Sequence, residues 1–264
     1  MSDINVSIPA GAKKRILTSG KYCPDDIVVE ATGGDTEAAF EAGKKAEYDA
    51  FWDSYQFGSD GVQKTYLAYF FAGQGWNDRN FKPKYDIKPV GTAPGMFRHL
   101  NVTNLKQTLI DCGVILDTSK ATNLQYAFGY GSFTKLPKID MSQSTNNDGI
   151  FVDDPVEEID EIVVSNKTTF TATSFRCKSL RHMPVSGVIS QNNFNVSACT
   201  LLDKISITSI INALSTSTSG LTVTLSNAAV NTAFETSTGA ADGATSAEWL
   251  ALENTKKNWT ITLA

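Results

Sequence analysis

The densest group of residues that could do chemistry is an acidic run of six carboxylates: Asp153, Asp154, Glu157, Glu158, Asp160 and Glu161. Carboxylate oxygens could hold Ca²⁺, and a suitably spaced pair could act as the acid and base of a glycoside hydrolase. The run lacks the glycine-punctuated order of an EF-hand loop, and Val156, Ile159 and Ile162 interrupt it at regular intervals. We therefore expect the solvated polar face of a repeat rather than a metal site or a catalytic pair.

Histidine chemistry has little support in the sequence. His99 and His182 are the only histidines, and neither lies near a nucleophile motif such as G-x-S-x-G. No phosphate-binding glycine loop is present, and Gly129-Tyr130-Gly131 by itself indicates only a turn. The sequence thus predicts no catalytic residue, no cofactor-binding residue, no metal ligand and no cofactor.

Composition limits the classes of partner. The 264 residues are 41% hydrophobic, enough to bury a sizeable core, and the net charge is -5. An acidic surface lacks the basic field that nucleic acid or anionic membrane requires. Residues 1–9 do not form a signal peptide, and no stretch is long and apolar enough to cross a bilayer. We expect synthesis in a cytoplasm, no nucleic-acid role and no membrane insertion.

A repeat orders the middle of the chain. Apolar residues recur five and eight positions after a common start, and the starts are Phe97, Phe128, Phe151, Phe175 and a degenerate Ser197. The intervals are 31, 23, 24 and 22 residues, and the longer first copy is explained by a predicted helix over 102–111. Apolar residues also recur 11 and 13 positions after the start, at Ile139, Met141, Ile162, Val164 and, in the fourth copy, Val188 alone.

Copies this short cannot bury their own apolar side, so they must stack, each giving one strand to a parallel sheet. We predict one buried ladder of Phe128, Phe151 and Phe175. A second ladder should contain Leu136, Ile159 and Met183. The fifth copy would contribute Ser197, Leu202 and Ile205.

The four cysteines, Cys23, Cys112, Cys177 and Cys199, are widely spaced and form no CxxC pair, which disfavours a zinc site or a disulfide scaffold. Cys177 and Cys199 share one phase of the repeat, so a disulfide between them is geometrically possible. Buried, reduced thiols are the expectation.

The flanks have other patterns. Alternating residues over 4–31, followed by Gly33-Gly34, predict a β-hairpin module and a hinge. A helix is predicted over 35–56, with Tyr48, Phe51, Trp52 and Tyr55 on one face, and another over 64–71. Aromatic residues over 57–88 could form a sugar-binding shelf, but the buried face of a cap is favoured. After the repeat we predict helices over 207–214 and 246–257 and strands over 221–225 and 259–263.

Part of the repeat resembles a known family. The run Phe175-Arg176-Cys177-Lys178-Ser179-Leu180-Arg181-His182-Met183-Pro184 is similar to the repeat of BspA-like leucine-rich-repeat proteins. That family usually places the leucine one residue farther from the phenylalanine, so the resemblance implies a tighter variant of the coil. It covers about residues 97–211.

Two flanking stretches resemble tail and minor structural proteins of phages and prophages of Gram-positive, often gut, bacteria. The first is Lys14-Arg15-Ile16-Leu17-Thr18-Ser19-Gly20-Lys21-Tyr22-Cys23-Pro24-Asp25-Asp26-Ile27-Val28-Val29. The second runs from Ala50-Phe51-Trp52-Asp53 through Gly75-Trp76-Asn77 and Phe81-Lys82-Pro83-Lys84-Tyr85, with Ile210-Ile211-Asn212-Ala213-Leu214 and residues 221–225. This resemblance implies a virion structural role and no catalytic residue.

The expected architecture is α+β: a short leucine-rich-repeat-like solenoid of parallel strands with a helical N-terminal cap, a small N-terminal β module and an α/β C-terminal cap. The domains would be 1–34 for docking, 35–94 as an aromatic-rich helical cap, 95–211 as the solenoid and 212–264 as the C-terminal cap. We expect a non-enzymatic phage tail, baseplate or receptor-binding protein located in the virion. Its partners would be other virion subunits and a host-surface glycan or protein, and it would form a homo-oligomer. The alternatives are a bacterial surface or secreted leucine-rich-repeat adhesin and a carbohydrate-active enzyme.

Overall fold

The computed structural model describes residues 46–52, 67–72, 75–256 and 258–264 in full, and the backbone of residues 12–13 and 30–31. The chain divides into two units, Met1–Gln63 and Lys64–Ala264. None of the helices within the described residues is long and apolar enough to cross a membrane.

The first unit contains a pair of strands and a helix. Strands β1 (Ala12–Lys13) and β2 (Glu30–Ala31) pair antiparallel, as expected of a β module. Residues 46–52 form helix α1, which confirms the central part of the helix predicted over 35–56. The predicted Gly33-Gly34 hinge and the rest of the alternating stretch over 4–31 lie outside the described residues.

The second unit is a mixed α/β structure with short parallel sheets. Its strands are β3 (Val90–Thr92), β4 (Lys120–Asn123), β5 (Lys135–Leu136), β6 (Ile139–Asp140), β7 (Glu158–Ile159), β8 (Ile162–Val164), β9 (Val185–Gly187), β10 (Phe194–Asn195), β11 (Thr222–Leu225) and β12 (Thr260–Leu263). Its α-helices are α2 (Leu105–Cys112), α3 (Lys204–Ala213), α4 (Asn227–Ala233) and α5 (Ala247–Asn254). The sheets are β3-β4, β5-β7, β6-β8-β9 and β10-β11-β12, and every pair in them is parallel.

The strand register follows the repeat of the sequence. Isolated parallel bridges join Asn104 to Lys135 and Glu158 to His182, and within the β5-β7 pair Lys135 lies opposite Glu158. These partners are 31, 23 and 24 residues apart, the same intervals that separate the first four repeat starts. The apolar positions of neighbouring copies are therefore brought side by side by backbone hydrogen bonds.

The predicted phenylalanine ladder is confirmed. Phe128 and Phe151 stack with ring centroids 5.6 Å apart, Phe151 and Phe175 follow at 5.7 Å, and all three are buried. The row of ring contacts extends beyond the prediction, through Phe97 to Phe71 at one end and to Phe194, which meets Phe175 edge to face, at the other. In the second ladder Leu136, Ile159 and Met183 are also buried, and Leu136 lies opposite Ile159 in β5-β7.

The prediction of a helix over 64–71 is wrong for its described part. Residues 67–72 form turns and bends, and the amide of Phe71 donates to the carbonyl of Met96 at 3.0 Å. The amide of Tyr69 likewise donates to Pro94, whereas the amides of Phe70 and Ala72 only close turns within the segment, so alternate residues bond to a distant segment and no helix forms. Phe71, Trp76 and Phe81 are nevertheless buried, as expected if the aromatic residues of this region form the inner face of a cap.

The repeat pattern also predicted two buried residues that the structure exposes. Val188 is 44% exposed because the β8-β9 register places Gly187, not Val188, opposite the buried Val164. Ile205 is 62% exposed because it lies in the first turn of α3, which Asp203 caps through the amide of Ser206. The helix period, not the repeat, decides the direction of Ile205.

The C-terminal elements match the predicted order with one addition. Helices α3 and α5 and strands β11 and β12 lie within two or three residues of their predicted bounds. Helix α4 was not predicted, although Ser226 caps it by accepting from the amide of Ala229, a signal visible in the sequence. Helix α2, which fills the long first copy, is confirmed with Asn104 as its cap.

Candidate functional site

The acidic run is largely matched by lysines from neighbouring copies. Lys106 in α2 lies 2.5 Å from Asp160 and 3.4 Å from Glu158, and Lys135 lies 3.1 Å from the other oxygen of Glu158. Lys138 pairs with Glu161 at 3.0 Å. These pairs join residues one or two copies apart, so they form a charge-compensated surface along the parallel strands.

This pairing makes the carboxylates poor general acids. The hydrogen bond from Lys135 lowers the pKa of Glu158, and hydrogen bonds from Ser186 and Lys138 lower the pKa of Glu161. A glycosidase acid needs the opposite shift, because it must carry a proton near neutral pH. Among the described residues, no group of three or more His, Cys, Asp or Glu is arranged to hold a metal ion.

The first two carboxylates of the run have opposite environments. Asp153 is exposed and makes a two-oxygen contact with the guanidinium of Arg176, each oxygen at 2.7 Å. Asp154 is only 4% exposed, and neither of its oxygens completes a well-oriented hydrogen bond. Burial raises the pKa of Asp154 to about 8, although the nearby amide of Gly131 offsets part of this effect. The expected solvated polar face is therefore wrong for Asp154.

Among the described residues, the side chain of His182 is hydrogen-bonded to a carboxylate and to no hydroxyl or thiol. Its Nδ1 lies 2.7 Å from Asp203, whose other oxygen accepts from the amide and hydroxyl of Ser206. The oxygen of Ser206 in turn accepts from the amide of Met183. Although burial opposes it, hydrogen bonding from His182 and Ser206 lowers the pKa of Asp203. The group caps α3 and links it to the ladder.

The cysteines of the repeat are free and buried. The thiol of Cys177 donates to the carbonyl of Phe151 at 2.8 Å, and that of Cys199 donates to the carbonyl of Phe175 at 3.3 Å. Burial raises the pKa of Cys199 to about 12 and that of Cys177 well above its usual value. A thiol in such surroundings is unreactive, because the thiolate is the nucleophile. Cys112 is free and half-buried, and Cys23 lies outside the described residues.

A cluster of rings with one arginine forms the candidate binding site. We call Arg98, His99, Tyr126 and Tyr130 the tyrosine–arginine face. The ring of Tyr130 stacks on His99 at 5.4 Å and on Tyr126 at 6.2 Å, with interplanar angles of 23° and 26°. The guanidinium carbon of Arg98 lies 5.4 Å from the Tyr126 centroid and 5.1 Å from that of Tyr130, within the range of cation–π attraction.

Backbone geometry places these rings on the surface. His99, Tyr126 and Tyr130 have positive φ angles of 60°, 53° and 61°. The position equivalent to Tyr126 in the next copy is Gly149, with φ of 57°, so the chain bend itself requires this conformation. A non-glycine residue there costs about 1–2 kcal/mol. The chain thus has aromatic residues at positions where glycine would strain the backbone less. Backbone strain of this kind is concentrated at functional sites.

The rim of the tyrosine–arginine face is rich in hydroxyl groups. Asp148 accepts from Thr171 at 2.6 Å and from Thr173 at 2.5 Å, and the hydroxyl of Tyr126 is also hydrogen-bonded to it. These bonds lower the pKa of Asp148 and keep it ionised. Tyr130, at 38% exposure, remains open to solvent.

A groove elsewhere on the second unit has fewer groups that could bind a ligand. A shallow groove of about 560 Å³ lies beside Val164, Gly187 and Ser215. None of the described residues that line it is charged, and the hydroxyl of Ser215 already accepts from the amide of Thr218 at 3.2 Å. The tyrosine–arginine face is therefore the stronger candidate.

Sequence reasoning missed this face. It treated Gly129-Tyr130-Gly131 as a turn and gave His99 no role. The signal was present: His99 and Tyr130 both lie two residues after a repeat start, and Tyr126 lies two residues before one. Ladders of exposed positions follow the same period as ladders of buried ones.

Comparisons with protein-family models, with curated proteins and with solved structures find no match to this chain.

Proposed function

We propose that the chain is a non-enzymatic structural and binding protein of a phage particle, in the tail, the baseplate or a receptor-binding position. In this proposal residues 95–211 form a leucine-rich-repeat-like solenoid, and residues 1–34 dock the chain to another subunit. The observation that carries it is the parallel register at intervals of 31, 23 and 24 residues, together with the phenylalanine stack. A stack of this kind offers a rigid side wall to a partner.

A binding role rather than catalysis agrees with the environment of the carboxylates in the acidic run. Glu158, Asp160 and Glu161 are occupied by lysines, and Asp154, whose pKa is raised, is buried away from any substrate. The resemblance of residues 14–29 to phage tail proteins supports the location. Residues 1–34 are too few to build a core alone, since chains below about 40 residues usually need a partner, a metal or disulfides.

The location is tested with particles purified from a strain that carries the gene. Mass spectrometry should find the chain in the particles at a fixed ratio to the tail proteins. Recovery in the cell-wall fraction alone would contradict the proposal and favour a bacterial adhesin. Cleavage of cell-wall polysaccharide by the purified chain, abolished by Glu157→Gln or Glu158→Gln, would favour the carbohydrate-active enzyme instead.

Docking is tested by comparing the full chain with a chain that begins at Asp35. Light scattering after size exclusion should show a smaller oligomer for the shorter chain, and that chain should be missing from particles. An unchanged oligomer and unchanged incorporation would mean that residues 1–34 fold back on their own unit.

A further inference from the structure

We propose that the tyrosine–arginine face binds an acidic glycan, a sugar chain that carries carboxylate or phosphate groups. The inference deepens the proposed binding function and rests on it only in assigning the ligand to a host surface. It is argued from the charge, the backbone bonding and the exposed rings of Arg98, His99, Tyr126 and Tyr130.

The face carries an arginine without a counter-ion. The Nε of Arg98 is buried without a hydrogen-bond partner, and none of the ion pairs formed by the described residues includes Arg98. The nearby Arg176 is different, because Asp153 already occupies its guanidinium. Arg98 therefore contacts the rings of Tyr126 and Tyr130 but pairs with no carboxylate of the described residues, which is a specific feature on a chain of net charge -5. Its planar fork fits the two oxygens of a carboxylate or a phosphate.

The backbone of the face is not free to bind a peptide strand. The amides of His99, Tyr126 and Tyr130 donate to Gly129, Asp148 and Val152 in the neighbouring copy. A peptide that binds by strand addition needs unpaired backbone groups, and these amides are already bonded. Recognition at this face therefore depends on ring surfaces and side-chain polar groups.

A sugar uses those same groups. Exposed rings of Tyr130 and His99 offer apolar surface to the C–H side of a pyranose. At the rim the hydroxyls of Thr171 and Thr173 already donate to Asp148, so their oxygens and the carboxylate of Asp148 can accept from sugar hydroxyls. The rings are held in place by stacking on one another, so little side-chain freedom is lost on binding. An acidic sugar can also form an ion pair with Arg98, which a neutral sugar cannot, so we expect the face to prefer acidic ligands.

The test is calorimetric titration of the purified full chain with three polymers: oligogalacturonate, poly(glycerol phosphate) and neutral dextran. We expect one or both acidic polymers to bind, more weakly at higher salt, and dextran not to bind. The two acidic polymers distinguish a carboxylate-bearing from a phosphate-bearing ligand.

Arg98→Met keeps the aliphatic stem and should weaken binding about tenfold or more, because a charge-assisted fork is lost. Tyr130→Leu should weaken it as well. Arg181→Met, at an exposed arginine elsewhere on the repeat, is the matched control and should stay within about twofold. Thermal unfolding of each variant checks its fold.

Equal binding of acidic and neutral polymers, binding by none of them, or unchanged binding by Arg98→Met would overturn the assignment. So would Arg98-dependent binding of poly-glutamate as tight as that of the sugars, which would assign the face to acidic peptides. The chain's absence from particles would defeat the phage location while leaving these titrations unaffected. The two proposals therefore fail separately.

Discussion

The ring of Tyr126 lies over Gly149, in the space that a Cβ at residue 149 would occupy. The same relationship recurs between Tyr69 and Gly95. In both cases a tyrosine of one segment closes over a glycine of a following segment, and both members have positive φ. Glycine is thus required at residues 95 and 149 for two reasons: the positive φ and the lack of a side chain under the tyrosine ring.

Gly149→Ala should destabilise the protein by about 2–4 kcal/mol, from the clash with the Tyr126 ring and the strained φ together. Gly113→Ala is the matched control, since Gly113 has a similar φ of 66° but no atom within 4 Å of its added Cβ. It should cost only about 1–2 kcal/mol. Urea unfolding measures both, and equal costs would show that Tyr126 does not close on Gly149.

Phe151→Ala should cost about 3–5 kcal/mol, because the substitution leaves a cavity in the middle of the ring stack. Val188→Ala is the control: the repeat pattern placed Val188 in a ladder, but the structure exposes it. Its cost should stay within about 0.5 kcal/mol. A large loss from Val188→Ala would restore the sequence-based ladder and contradict the structure.

Asp154 should make stability depend on pH. Its pKa is about 8 in the folded chain and about 3.9 when unfolded, so the folded state binds more protons between these values. Stability contributed by the protonated form is therefore fully present below about pH 4 and is lost as pH rises to about 8. The full effect is on the order of 5 kcal/mol.

Asp154→Asn removes this titration, so its advantage over the parent chain should grow from pH 5 to pH 9 in urea unfolding. Asp153→Asn, at the exposed neighbour, should lose only a surface ion pair, worth about 1 kcal/mol or less, with no such rise. A constant difference between Asp154→Asn and the parent at every pH would show that Asp154 is not held protonated.

Lys256 should anchor the C-terminal segment. Its ammonium is buried and donates to the carbonyls of Leu214 at 2.5 Å and Asn212 at 3.2 Å, at the end of α3, where the helix dipole favours a cation. Lys256→Met should cost about 1.5–3 kcal/mol. Lys138→Met, which breaks only the exposed pair with Glu161, should cost about 1 kcal/mol or less. Equal losses of thermal stability in Lys256→Met and Lys138→Met would show that Lys256 does not anchor the C-terminal segment.

The sequence by itself determined the ladders and most of the helices. Phe128, Phe151 and Phe175 recur at intervals of 23 and 24 residues, so stacking one copy on the next brings all three side by side. Helices α2, α3 and α5 carry their own caps at Asn104, Asp203 and Ser246, so local chemistry defines where they begin.

Tertiary structure decided the rest, because those features depend on segments that are distant in sequence. The rings of Tyr126 and Tyr130 meet Arg98 and His99 only when neighbouring copies pair. Asp153 and Asp154 are adjacent and chemically identical, yet one reaches Arg176 in solvent and the other is buried near Gly131. The positive φ of 56° at Asp153 turns the chain between them, and the packing of the neighbouring copies determines which carboxylate is buried.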